Sequence, residues 1–114
     1  MASYSRGSVI LVRYPFTDLT GSKIRPAVVV SSPHESSDII FVPLTSRTAG
    51  LRSGEFLLSD FHGAGLNVPT AVKRGLHAID ERLVLKSVGT LKTPDTEELD
   101  QSLAYWLGLP SKSN

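Results

Sequence analysis

At 114 residues and a formal net charge of +1, the chain can hold one hydrophobic core, and it is too nearly neutral to coat nucleic acid non-specifically. Its hydrophobic share of 40% and charged share of 20% are those of an ordinary globular protein, and no run approaches the roughly 18 apolar residues that span a bilayer. It has no cysteine, and His34, His62 and His77 stand far apart with no carboxylate cluster at ligand spacing, so disulfides and thiolate zinc sites are excluded and neither a metal nor a cofactor is expected. The apolar run 9–12 is too short for a secretory core, so a cytoplasmic protein without membrane association is expected.

The first strand reads as 8–14, an almost continuous apolar run whose two faces are both covered, as in a small barrel. Pro15 ends it, and 16–23 forms a polar turn punctuated by Asp18, Gly21 and Ser22. A second strand over 27–32 is rich in valine, and Arg25-Pro26 stands at its mouth. After a loop at 32–37 comes a third strand over 38–44, with Thr45-Ser46 at its end. An exposed loop at 47–54, a short strand at 55–58 and a capped turn at 59–65 follow. The strand expected at 68–73 belongs near an edge, because Pro69 cannot donate to a ladder. The last strand covers 85–91.

One helix closes the chain, with Thr93 as N-cap, Pro94 at the first helical position, and Asp95, Glu97 and Glu98 complementing its positive end. Leu99, Leu103, Trp106 and Leu107 recur on one helical face, and Gly108 stops it. Leu99, Leu103 and Trp106 read as core or dimer packing. Together these elements describe a single mainly β domain over 1–114, with a small barrel over about 7–91, a packed helix over about 94–107, and a polar tail at 110–114. Eight basic residues, Arg6, Arg13, Lys23, Arg25, Arg47, Arg52, Lys73 and Arg74, precede residue 75, whereas Asp95, Glu97, Glu98 and Asp100 crowd the last quarter. That asymmetry permits a local basic face.

Arg25 before one apolar strand and Thr45-Ser46 after the next place a fixed cation near two hydroxyls, a combination suited to a phosphodiester. Read alone, the same residues equally describe an arginine anchoring a turn and hydroxyls capping one. The loops at 17–24 and 47–54 carry Lys23, Arg47 and Arg52 among small polar residues, which suits the backbone of a flexible strand or an ordinary solvated connection. Phe16, beside Thr17, either stacks on a base or staples the barrel. Asp18 is a turn former or a proton acceptor. His34 and His77 have the intrinsic acidity of a general base, and His62 reads as solvated.

Five segments in order, Gly7-Ser8-Val9-Ile10-Leu11-Val12, Tyr14-Pro15-Phe16-Thr17-Asp18, Lys23-Ile24-Arg25-Pro26-Ala27-Val28-Val29, Val42-Pro43-Leu44-Thr45-Ser46 and Ala78-Ile79-Asp80-Glu81-Arg82-Leu83, resemble the MazF/PemK-type toxins of bacterial toxin–antitoxin systems. Val88-Gly89-Thr90-Leu91 before an acidic helix also fits, and the resemblance spans about 7–109. It implies an SH3-like barrel that forms a homodimer and cleaves single-stranded RNA without a metal. It also implies a cognate antitoxin whose extended acidic tail fills the RNA groove. Carried over position by position, the catalytic groups are Arg25 and Thr45; Ser46, Asp18 and His77 are further catalytic or supporting candidates on the chemistry of the residues alone. Phe16, Thr17, Lys23, Arg47, Arg52, Lys73 and Arg74 would contact RNA. Where some members carry an Arg-x-Asp element, this chain has Val72 and Arg74, so Lys73 and Arg74 would supply phosphate contacts instead. CcdB-type toxins, which bind gyrase, share the barrel architecture, and a catalytically silent member that only binds RNA or antitoxin is the other alternative.

Overall fold

The valine- and isoleucine-rich runs pair as the first three strands of an antiparallel sheet: β1 (Ser8–Tyr14), β2 (Lys23–Val29) and β3 (Asp38–Thr45). The structure, a computed structural model, describes residues 4–14 and 23–110. Beyond β3 come β4 (Phe56–Leu57), β5 (Ala71–Val72), β6 (His77–Asp80), a 3-10 turn (Glu81–Leu83), β7 (Val84–Thr90) and the helix α1 (Thr93–Leu107). The strand order is β4-β5-β3-β2-β1-β7, with β6 also pairing β3. The mainly β, helix-terminated architecture expected from the sequence is present. Among the described residues its ladder path does not close, ending at β4 and β7.

The continuous apolar runs of the first three strands arise because both sheet faces are covered. Val9, Val28, Val42 and Leu44 face a core shared with Phe56, Val72 and Leu99 of α1. Ile10, Val12, Ala27, Val29, Ile39 and Phe41 form a second cluster on the other face, packed against Tyr4, Ile79 and Val84. The β1–β7 register shifts between Val9 and Ile10 and again between Leu11 and Val12. Such irregularities increase local twist and bend the pair. The turn after Asp60 lies directly on β7: a Cβ at Gly65, whose φ is +90°, would overlap the Val88 carbonyl, so backbone meets backbone there.

Several boundaries differ from the sequence expectation. β5 holds only Ala71 and Val72 and lies between β4 and β3 rather than at an edge, and Pro69 precedes it without entering a ladder. Lys92, not Thr93, is the N-cap of α1 and provides no side-chain cap, while Pro94 occupies the second helical position. Leu99 is buried, and Leu103 and Trp106 pack against the same core, but Leu107 is 52% exposed. At 100° per residue Leu107 lies about 80° around the helix from Leu99, and Trp106 only about 20°. The apolar face is narrower than its spacing suggested. Gly108 ends the helix in the left-handed conformation, as expected.

Candidate functional site

β2 begins at Lys23, so Arg25 sits within the strand, opposite Val12 of β1, rather than at its mouth. Pairing to β1 continues out to Tyr14↔Lys23, whereas pairing to β3 stops at Ala27↔Pro43. Pro26 accounts for that difference. Val30 N–H donates to the Ile40 carbonyl of β3, so by alternation Pro26 also turns its backbone toward β3. Lacking an N–H, it ends the ladder there. Continuing the register by two residues brings Arg25 opposite Thr45, across a gap that no ladder pair closes.

Each side of this gap is anchored on its outer flank. Arg25 pairs through β1, and Thr45 pairs with Ala71 of β5. The Thr45 Oγ1 accepts the Arg47 N–H at 3.0 Å, which holds the side chain in place and leaves its O–H to donate. The hydroxyl thus performs the turn-capping role that sequence reasoning weighed as the alternative. Ser46 and Arg47 follow on the exposed bend.

Strand alternation gathers further groups on this face. Lys23 and Arg25 share it on β2 with Ala27, and Pro43 shares it on β3 with Thr45. The Lys73 N–H donates to the Pro43 carbonyl at 3.0 Å, which places Lys73 opposite Pro43 and on the same face. His77 is paired with Phe41 across β6 and β3, its ring stacked on the phenyl at 5.4 Å between centroids, and a Cβ at Gly75 would touch both Pro43 and the His77 imidazole. Lys23 and Lys73 are exposed and Arg25 is half-buried. None of these three cations takes part in the ion pairs of the described residues, which are Arg6–Asp100 and Arg82–Asp80. The face therefore offers three cations and a hydroxyl donor at one end of the sheet.

Other candidates lie elsewhere. His34 is in the exposed loop that precedes β3, where its Nδ1 meets Ser36 Oγ at 3.0 Å. Seven residues of strand separate Asp38 from Thr45, about 23 Å, so His34 is not at this site. His62 is exposed, its ring tilted against Phe61 at 4.4 Å between centroids. Phe16, Thr17 and Asp18 lie outside the described residues. Arg52 and Arg74 sit on the α1 side of the sheet, lining a groove with Ser53, Tyr105 and Trp106. Among the described residues no cluster of three or more His, Cys, Asp or Glu could hold a metal ion. No helix among them is long and apolar enough to cross a membrane.

Sequence reasoning missed Glu55 and the larger role of Asp95. Glu55 accepts the Arg52 N–H at 2.7 Å and the Arg74 N–H at 2.9 Å, tying the 47–54 loop to the segment after β5. Burial pushes its carboxyl up, but these two backbone bonds and the charges of Lys73 and Arg52 outweigh that and hold it below the ordinary value. Asp95, almost fully buried, accepts the Ser59 N–H at 2.9 Å and lies 3.4 Å from the Asp60 N–H. Both acids precede or follow glycine- or proline-containing turns, which is a faint signal. Only the fold shows which distant N–H groups they meet.

A family model described as PemK-like, MazF-like toxin of type II toxin–antitoxin systems matches residues 5–107. Among solved structures, the chain is similar to a MazE–MazF complex from Deinococcus radiodurans, at 20% identity over 94% of this chain and 98% of that one, with a TM-score of 0.75. It is also similar to the Mycobacterium tuberculosis toxin MazF-mt6, at 17% identity over 91% and 99% of the two chains, with a TM-score of 0.74. An endoribonuclease in complex with its cognate antitoxin, from a mycobacterial species, shares 18% identity over 97% and 99%, with a TM-score of 0.72. At these identities the structures share the fold. Among curated proteins no sequence is significantly similar.

Proposed function

The chain belongs to the PemK-like, MazF-like toxins of type II toxin–antitoxin systems, and from that premise we propose that it is an endoribonuclease that cleaves single-stranded RNA without a metal. The observation that carries this reading is the opened ladder after Ala27↔Pro43, beyond which Arg25 and Thr45, opposite in the continued register, have no backbone pair between them.

A phosphodiester laid across that gap meets a guanidinium on one side and a hydroxyl donor on the other. The ribose 2′-oxygen attacks the adjacent phosphorus and the bond to the 5′-oxygen breaks, giving a 2′,3′-cyclic phosphate and a 5′-hydroxyl. Charge builds on the non-bridging oxygens, where the planar Arg25 fork can hold two of them and Thr45 O–H a third contact. Lys73 and Lys23 position the flanking phosphates. The 2′-OH proton needs an acceptor, and among the described residues His77 is the one on this face. The 5′-oxygen leaves as an alcohol after taking a proton from solvent water, and the proton accepted from the 2′-OH returns to solvent. Arginine keeps its own proton under ordinary conditions, so Arg25 acts as stabiliser rather than base.

The same cationic face suits an acidic, extended antitoxin segment, which would compete with RNA for it. A homodimer is proposed as the working form. Leu83 and Leu85, 58% and 49% exposed where β7 begins, support a contact between copies.

The purified protein is expected to cut single-stranded RNA in the presence of EDTA and leave cyclic-phosphate ends. Arg25→Ala should lower the rate by about 100- to 1000-fold or more with the fold intact. His77→Ala should lower the cleavage rate by about 100-fold or more with the fold intact. Cleavage that requires a divalent ion, or full activity in the arginine variant, would sink the mechanism. An undiminished rate in the His77 variant would remove His77 from it.

A further inference from the structure

On the face of the sheet opposite Arg25, the 52–53 loop, the residue after Lys73 and the last turns of α1 enclose a groove of about 440 Å3, lined by Arg52, Ser53, Arg74, Tyr105 and Trp106. Its walls are fixed. The Trp106 indole N–H donates to the Ser53 carbonyl at 2.9 Å, and the Ser102 hydroxyl donates to the Gly54 carbonyl at 2.6 Å. Gly54 has a φ of +87°, and a Cβ there would fall inside the indole, so only glycine lets loop and helix approach this closely. Glu55 holds the main chain of both arginines through its two carboxylate oxygens.

That clasp has a consequence for the charges. Because Glu55 spends its oxygens on backbone N–H groups, it does not bind either guanidinium in a direct ion pair. The ion pairs of the described residues include neither Arg52 nor Arg74. Two exposed guanidiniums beside two aromatic rings match the chemistry of one nucleotide, with phosphate on the cations and base against the indole. The volume is that of a small-ligand site. An acidic hollow lined by Glu55, Glu98 and Gln101 adjoins the groove, so an anionic chain could not continue along α1. That limits the occupant to a single nucleotide and disfavours an acidic peptide laid along the helix.

Lys73 and Arg74 are consecutive, one on the Arg25 face and one at the groove. We propose that the groove is a second RNA subsite, reached over this edge, which holds one nucleotide outside the cleavage centre and extends the length of strand the protein prefers. The proposal rests on the single-stranded RNA reading given above.

Trp106 is the sole tryptophan of the chain, so its emission reads the groove directly. The test uses the full chain carrying Arg25→Ala to prevent cleavage, with single-stranded RNAs of about five and about twelve nucleotides, the longer able to cover both subsites. Binding is followed by anisotropy of labelled RNA and by Trp106 emission. The longer RNA should quench Trp106. Adding Arg52→Ala and Arg74→Ala should weaken its binding about tenfold while leaving the shorter RNA unaffected. RNA that binds by anisotropy without changing Trp106 emission, or that binds the triple variant equally well, overturns the subsite and leaves the cleavage reading standing. No binding of either RNA, made with 2′-O-methyl groups so that it cannot be cleaved, to the chain with Arg25 intact overturns both. A decaglutamate peptide that quenches Trp106 more strongly than RNA overturns the subsite in favour of a protein partner.

Discussion

Pro26 determines the geometry around Arg25 more than Arg25 itself does. A residue with an N–H at that position could extend the β2–β3 ladder and draw Arg25 and Thr45 into an ordinary cross-strand pair. Pro26→Val is therefore expected to reduce RNA cleavage at least tenfold while leaving the melting temperature unchanged or higher, as read by a cleavage assay beside thermal unfolding. Unaltered cleavage would mean that the gap is not needed. Arg25 and Thr45 were each visible in the sequence as residue types beside apolar runs. Their opposition was not, because register depends on which strands pair and where a ladder stops. Asp80 shows the complementary case. Its side chain pairs with the Arg82 guanidinium and also accepts the Arg82 backbone N–H at 2.8 Å, which lowers its carboxyl to about 2. The stability this adds is present above the ordinary carboxylate range and is lost as pH falls toward 2.

The helix α1 is held at its start by one buried carboxylate and at its end by one indole. Asp95 satisfies the backbone N–H groups of the 59–60 turn, and Trp106 and Ser102 bond the 53–54 loop. Asp95→Ala removes the charged acceptor of the part-buried Ser59 and Asp60 N–H groups and should cost about 2 to 3 kcal/mol. That corresponds to a fall of about 10 °C in melting temperature, measured by calorimetry. A change within 1 or 2 °C would show that water replaces the carboxylate at no cost (about 0.5 kcal/mol or less). The acidic first turn was legible from the sequence and read as complementing the helix dipole. Its larger role was hidden, because Ser59 and Asp95 are brought together only when the helix packs on the sheet. The N-cap was misplaced by one residue for a related reason: Thr93 has the right side chain, but the chain enters the helix at Lys92.

At the scale of the whole molecule, five basic residues divide between two faces. Lys23, Arg25 and Lys73 share the opened end of the sheet, while Arg52 and Arg74 border the α1 groove. Exposed apolar side chains at the start of β7 leave room for a second copy of the chain. Leu83→Glu with Leu85→Glu should convert a dimer to a monomer in analytical ultracentrifugation while preserving the circular dichroism of the fold. A parent chain that sediments as a monomer at tens of micromolar would overturn the homodimer.

Local patterns in the amino-acid order determined the strands other than β6, the closing helix, its glycine stop and the family, because apolar periodicity, turn residues and ordered motifs act over a few residues. The partners of those elements came from packing. Strand order placed β5 inside the sheet, register set Arg25 against Thr45, and alternation separated Lys73 from Arg74. Each depends on contacts between residues far apart in the chain, and a side-chain period of two sends neighbours to opposite faces. The arginine and threonine could be read from the chain; the gap between them exists only where two strands stop pairing.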